Sequence, residues 1–206
     1  MKFLPTSILL AFTISTALTA QAQTASYGSC TYNKETVADI TCYGPAILDD
    51  TTVTGAIQVF GPVTMNNVSA NDVTVNGPLT MNHTNVNNIT VAGPLTMTYS
   101  NANDVHIKGP LYINSSTVKG LTSVEGPVEA IRSTFEKDVF SASNQVDLSS
   151  SQVMGKVTEK SSNDKAILKM TDKSTIFGNV EFSAQAGKVI VDSQSKVIGT
   201  VVNGTK

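Results

Sequence analysis

Three consecutive segments decide the fold: GPVTMNNVSANDVTVN at residues 61–76, GPLTMNHTNVNNITVA at residues 77–92 and GPLTMTYSNANDVHIK at residues 93–108. Six of the seven prolines follow a glycine, and these pairs are 16 or 17 residues apart; they begin at Gly44, Gly61, Gly77, Gly93, Gly109 and Gly126. A fixed period of this length is typical of repeat proteins, in which one short unit stacks on the next.

Each unit carries apolar side chains at fixed distances from its glycine. The second and fourth residues after the glycine are apolar, as in Val63 and Met65, and the residue between them is usually threonine, as in Thr64, Thr80 and Thr96. This alternation predicts a three-residue strand with both ends facing the core. Two further triplets follow in each unit, for example Val68-Ser69-Ala70 and Val73-Thr74-Val75. Each unit therefore contains three short strands separated by corners.

The corners have turn-forming residues. Gly-Pro forms one corner, where we expect glycine to supply an unusual φ and proline to fix its own. Asparagines occupy the second corner (Asn66, Asn82, Asn114), and Asn-Asp or Asn-Asn pairs the third (71–72, 87–88, 103–104). Both residue types tolerate the left-handed conformation. The sequence predicts an all-β protein: a single parallel β-helix of triangular section, with about nine turns of 16–23 residues.

The chain divides into a leader and one solenoid. Residues 1–22 have the features of a secretory signal peptide, with Lys2 before an apolar stretch and Ala20-Gln21-Ala22 as the cleavage signal. Pro5 and several hydroxyl residues argue against a membrane anchor, and the stretch is short of the ~20 apolar residues that a span needs. We expect a short leader at 23–27 and a β-helix at 28–206, with Gly-Pro turns at 28–142 and looser turns at 143–202. The protein is then periplasmic, cell-surface or secreted.

A different sequence motif is repeated in the second half of the chain. The motif (Val/Ile)-x-Gly-x-Val, where x is any residue, begins at Val153, Ile176 and Val197. We interpret this as a continuation of the coil, with Glu159 to Lys165 as a protruding polar loop; two separate domains are the alternative. These turns resemble those of bactofilins, bacterial polymer-forming β-helix proteins. The resemblance covers about the last 60 residues and implies the coil and end-to-end assembly. Bactofilins are cytoplasmic, and Gly-Pro corners are not part of their pattern.

Two cysteines, Cys30 and Cys42, occupy apolar positions of the first turn and flank one corner of the triangle. In an exported chain such a pair predicts a disulfide, with Cα atoms within the usual 4.4 to 6.8 Å range. Free buried thiols are the alternative.

The composition excludes some functions. A net charge of −2 and a single arginine, Arg132, exclude a basic nucleic-acid-binding protein. His83 and His106 are expected on the surface, and neither has an acidic neighbour in its column for a Ser-His-Asp triad. Residues Asp39, Asp72, Asn88 and Asp104 share one column, which we interpret as a ladder of Asx turns rather than a Ca²⁺ site. We therefore expect no enzyme activity, no metal and no cofactor.

A structural or interaction protein is the leading hypothesis: an exported β-helical rod that self-assembles or adheres. The last turn has no segment to cover it, so we expect self-association through Val197, Val201 and Val202. A surface glycan or another protein is a further possible partner; nucleic acid and a membrane span are not expected. The alternative function is that of an extracellular glycan-binding or glycan-cleaving β-helix protein.

Overall fold

The computed structural model describes residues 24–160, 166–183 and 187–206. Every regular element in these ranges is a β-strand, and the 29 strands are numbered β1 to β29 in chain order. They pair in parallel and stack as a β-solenoid of about ten turns, which confirms the predicted single parallel β-helix. The expected signal peptide at 1–22 and most of the polar loop before residue 166 lie outside the described residues.

The first face of the triangle is an 11-stranded parallel sheet. Its strands are β2 (Cys30–Asn33), β5 (Ala46–Asp49), β8 (Val63–Asn66), β10 (Leu79–Asn82), β12 (Leu95–Thr98), β14 (Leu111–Asn114), β17 (Val128–Ile131), β20 (Gln145–Ser149), β23 (Ile167–Thr171), β26 (Gly187–Val191) and β29 (Gly204–Thr205). This continuous sheet joins the Gly-Pro turns to the looser turns of the second half.

The other two faces belong to an 18-stranded sheet that bends at the corner between them. The second face contains β3 (Thr36–Val37), β6 (Thr52–Val53), β15 (Thr117–Val118), β18 (Thr134–Phe135), β21 (Gln152–Val153), β24 (Thr175–Ile176) and β27 (Lys196–Val197). The third contains β1 (Thr24–Ser26), β4 (Ile40–Cys42), β7 (Ile57–Val59), β16 (Thr122–Val124), β19 (Val139–Ser141), β22 (Val157–Glu159), β25 (Val180–Phe182) and β28 (Val201–Val202). Three longer strands run across both faces: β9 (Ser69–Val75), β11 (Asn85–Val91) and β13 (Asn101–Ile107).

The register of the first face confirms the predicted columns. Met81 pairs with Met65 on one side and Met97 on the other, and all three side chains are fully buried. Thr80 lies between Thr64 and Thr96 in the outward column. The side-chain period of two places one column in the core and the next on the surface in every turn.

The Gly-Pro corners form as expected, but the prediction that their glycines supply an unusual φ is wrong. Gly28 is the one glycine among the described residues with a positive φ, and it precedes a serine. The glycines of the Gly-Pro pairs stack closely instead. A Cβ added to Gly61, Gly77 or Gly93 would lie 2.6 to 2.7 Å from the backbone of the preceding glycine. Glycine is required because the backbones of successive corners approach each other too closely for a side chain.

The left-handed conformation occurs one residue later than expected. Asn66, Asn82 and Asn114 end strands of the first face, and the residues that follow them have φ near +50°. This column contains Lys34, Asp50, Asn67, His83, Tyr99, Ser115, Arg132 and Ser150, with φ between 48° and 55°. At the third corner, β9, β11 and β13 pass through the Asn and Asp pairs as continuous strands. The position in the turn therefore decides this conformation, against the residue preferences.

Two expected boundaries are also wrong. Thr24–Ser26 of the expected leader forms β1 and pairs with β4, so the coil begins before Gly28. Glu159, expected in a protruding loop, ends β22 and is fully buried. It belongs to an inward column with Ser141 and Phe182, and this column continues the core of the earlier turns.

Candidate functional site

The predicted disulfide is present. Cys30, at the start of β2, is bonded to Cys42, at the end of β4, and their Cα atoms are 6.2 Å apart. Both side chains are buried. The bond links the two strands that flank the corner at Gly44-Pro45. This corner lies at the N-terminal end of the coil, where few turns precede it to stabilise the strands.

The histidines and the acidic column lie where the sequence placed them. His83 and His106 are exposed, and the ring of His83 stacks on that of Tyr99 at 5.1 Å between centroids. The Asp39 carboxylate accepts the N–H of Ala56 in the next turn at 2.7 Å, and Asn88 donates to Asp72 at 2.8 Å. These groups bond between turns rather than within their own turn, so the expected ladder of Asx turns is wrong and the side chains instead hold adjacent turns in register.

The residues expected to mediate assembly lie at the last turns of the coil. Val197 is buried, Val201 is half-buried, and Val202 is 41% exposed. The chain continues beyond Val202 into β29, which pairs with β26. The Lys206 side chain turns back and donates to the carbonyl of Val197 at 3.2 Å. The expected end of the coil at Val202 is therefore wrong, because β29 extends the first face beyond it.

A trough runs along the middle of the first face, and sequence reasoning missed it. In the outward column that begins with threonines, Tyr112, Glu129, Asp147 and Lys169 follow one another in direct register. Hollows of about 230, 190 and 290 Å³ lie along them, and all three are lined by Asp147. We call this feature the axial trough. The sequence signal for it was the change from threonine to charged residues after Tyr112.

An apolar ridge runs along the corner between the second and third faces. Met154, Phe177 and Ile198 directly follow the paired residues Val153, Ile176 and Val197, so they occupy one column. Their exposed fractions are 48%, 41% and 55%. We call this column the apolar ridge. Three large apolar side chains are therefore exposed side by side at this corner.

Aromatic rings stack at the other end of the rod. The rings of Tyr27, Tyr43 and Phe60 are parallel within 8°, with 4.9 Å between neighbouring centroids. Tyr27 is 85% exposed, so one face of the outermost ring is open to solvent. The signal in the sequence was an aromatic residue directly before three successive corners. Tyr43 directly follows Cys42, so the stack and the disulfide belong to the same corner of the first turns.

Glu159 is the one carboxyl among the described residues that is fully buried. Neither of its oxygens has a hydrogen-bond partner there. Burial, with a smaller contribution from the nearby Asp147 carboxylate, raises the pKa of Glu159 to about 8. An unpaired charge in an apolar column is costly, so this group is held in its protonated form at neutral pH.

Comparison with protein-family models, with curated proteins and with solved structures found no match. The resemblance to bactofilins therefore rests on the looser turns alone. Within the ranges given above, no helix is long and apolar enough to cross a membrane.

Proposed function

We propose that the protein is an exported structural protein, a stiff rod that associates side by side with a second copy of itself. The apolar ridge is the observation that carries this proposal. Met154, Phe177 and Ile198 expose their side chains on a straight edge, and burial of such surface against another protein is favourable.

A second copy fits this edge because the ridge has charged residues of opposite sign near its two ends. Glu136 occupies the ridge column one turn before Met154, and Lys196 lies on β27 at the level of Ile198. A two-fold axis through Phe177 places Met154 of one copy against Ile198 of the other. Glu136 then faces the end of the partner that carries Lys196. Isologous contacts of this kind are the commonest in homo-oligomers.

Rigidity and export belong to the same proposal. Hydrogen bonds between side chains of adjacent turns, such as that from Asn66 to Asp49 at 2.7 Å, add to the parallel backbone ladder and stiffen the rod. Disulfides persist in oxidising compartments, which supports a periplasmic, cell-surface or secreted location. End-to-end contact through Val197, Val201 and Val202 is a second, separate route to assembly. A non-enzymatic role is part of the proposal.

Sedimentation velocity of the chain lacking residues 1–22 tests the ridge. We expect a concentration-dependent dimer that Phe177→Asp weakens by about tenfold or more, because the change places a charge in an apolar contact. Ile47→Asp is the matched control, since Ile47 is similarly exposed but its partners in the adjacent turns are the threonines Thr31 and Thr64. A monomer at high micromolar concentration, or equal effects of the two changes, would contradict the proposal.

A further inference from the structure

The axial trough contains charged groups that the fold does not use. The side chains of Glu129 and Lys169 make no hydrogen bond or ion pair with any described residue, and the Asp147 carboxylate accepts a single side-chain hydrogen bond, from Gln145 at 2.7 Å. Elsewhere on the rod, polar side chains of successive turns bond to each other, as Asn101 does to Asn85 at 2.8 Å. The trough therefore differs from the structural ladders.

The arrangement of the acids opposes folding. Glu129 and Asp147 are direct partners in the parallel register of β17 and β20, and like charges in this relationship are destabilising. Lys169 is the partner of Asp147 on its other side, but the two side chains form no ion pair. A cation placed over Glu129 and Asp147 removes the repulsion, so the charges point to a ligand that carries positive charge.

The neighbours of the acids define the rest of the ligand. Tyr112 lies one turn before Glu129, and Pro94, Pro110 and Pro127 line the same hollow. An aromatic ring offers a flat surface for the apolar face of another ring, and its hydroxyl offers a hydrogen bond. Gln145 and Thr96 supply further polar groups at the edge of the trough. Hydroxylated sugar rings match this mixture of flat apolar and hydrogen-bonding surfaces.

The length of the trough indicates a chain rather than a single ring. Tyr112, Glu129, Asp147 and Lys169 occupy four successive turns, which corresponds to roughly 14 Å along the axis at the spacing of parallel strands. Lys169 lies at the far end and repels a cation there. The positive charge of the ligand therefore belongs between Tyr112 and Asp147.

We propose that the axial trough binds a linear glycan that carries free amino groups. One sugar ring stacks on Tyr112, an ammonium group lies over Glu129 and Asp147, and Lys169 contacts hydroxyl groups of the next unit. This site is independent of the apolar ridge, which lies along a different edge of the rod. A rod of this kind both associates with its own copies and attaches to an amino-sugar polymer.

Calorimetric titration with two matched probes tests the proposal: the hexamer of glucosamine and the hexamer of N-acetylglucosamine, at a pH where the sugar amines are protonated. We expect the glucosamine hexamer to bind about tenfold more tightly, since acetylation removes the charge. Glu129→Gln abolishes this preference, Tyr112→Ala weakens both probes, and Lys169→Gln strengthens binding of the glucosamine hexamer. Thr64→Ala, in the same column outside the trough, changes neither.

Four outcomes would overturn the proposal: no binding of the glucosamine hexamer, equal binding of the two hexamers, no effect of Glu129→Gln, or equally tight binding of hexalysine. The last outcome would assign the trough to a basic peptide. Circular dichroism and thermal unfolding establish that each variant is folded, and Glu129→Gln, at an exposed position, keeps the test valid if Tyr112→Ala does not fold. Phe177→Asp separates this site from the proposed dimer, because it leaves glycan binding unchanged.

Discussion

The backbone N–H of Thr84 donates to the hydroxyl oxygen of Ser100, one turn further along the rod, at 3.1 Å. Ser100 donates its own proton to the carbonyl of Thr98 at 2.8 Å, and its N–H donates to Ser116 at 2.9 Å. The same relationship continues through Ser133, Ser151, Ser174 and Ser195. These buried hydroxyls satisfy the backbone at the corner where each left-handed residue interrupts the β-ladder.

Ser100→Ala should destabilise the protein by about 1 to 3 kcal/mol, because it leaves the buried N–H of Thr84 without an acceptor. Unfolding in guanidinium chloride measures the change. Ser69→Ala is the control, since Ser69 is exposed on β9, and we expect a change within about 0.5 kcal/mol. Equal losses for the two variants would show that the hydroxyl ladder contributes nothing.

Met81→Asp should cost more than about 4 kcal/mol, because it places an unpaired charge in the fully buried methionine column. Thr80→Asp, at the adjacent exposed position, should change stability by about 0.5 kcal/mol or less. Thermal unfolding compares the two directly. Similar melting temperatures for these neighbours would contradict the register of the first face.

Stability should decrease as the pH rises through the range set by Glu159. Its pKa is about 8 in the folded protein and near 4.5 when exposed, so the folded state retains a proton that the unfolded state has lost. The contribution of protonated Glu159 to the free energy of unfolding is therefore fully present below about pH 4.5. It declines towards pH 8, at up to about 1.4 kcal/mol per pH unit. Denaturant unfolding between pH 5 and pH 8 measures this slope.

Glu159→Gln should flatten this part of the pH profile and stabilise the protein at pH 8, since the amide has no charge to lose. Glu129→Gln makes the same change on the surface and should leave the profile of the parent chain intact. If the two variants have the same profile, burial of Glu159 is not the cause of the pH dependence.

Reduction of the disulfide should destabilise the chain by about 2 to 3 kcal/mol, because the short loop between Cys30 and Cys42 gains freedom when unfolded. Thermal unfolding of the protein with and without reductant measures the loss, and the double variant Cys30→Ser/Cys42→Ser should resemble the reduced form. Mass spectrometry of the protein isolated from its native source should find no free thiol. Two free thiols would contradict the bond in its native compartment.

Val201→Lys should weaken association through the last turns, because it adds a charge to a half-buried apolar position on β28. Val202→Lys provides a second test at an outward position, where the substitution does not disturb the core. Light scattering at high micromolar concentration measures assembly, with Thr31→Lys at the opposite end as the control. If Phe177→Asp abolishes assembly and neither valine variant changes it, the contact is lateral only.

The sequence alone determined the fold, because one physical pattern repeats in every turn. The alternation around Met81 defined which side chains face the core, and the 16- or 17-residue spacing of the Gly-Pro pairs defined the stacking of strands on strands. The same frame aligned Cys30 and Cys42 at one corner. Each of these inferences needed only the side-chain period of a strand and a constant turn length.

The tertiary structure decided whatever depends on contacts between turns. No side chain fits at the glycines of the Gly-Pro pairs, because the backbone of the preceding corner lies against them. The left-handed column is defined by its place in the turn, since His83 and Tyr99 adopt this conformation there. Turns of unequal length in the second half hid the register that places Glu129 beside Asp147 and buries Glu159. A pattern in one turn describes its own strand, whereas a site on this rod is assembled across several turns.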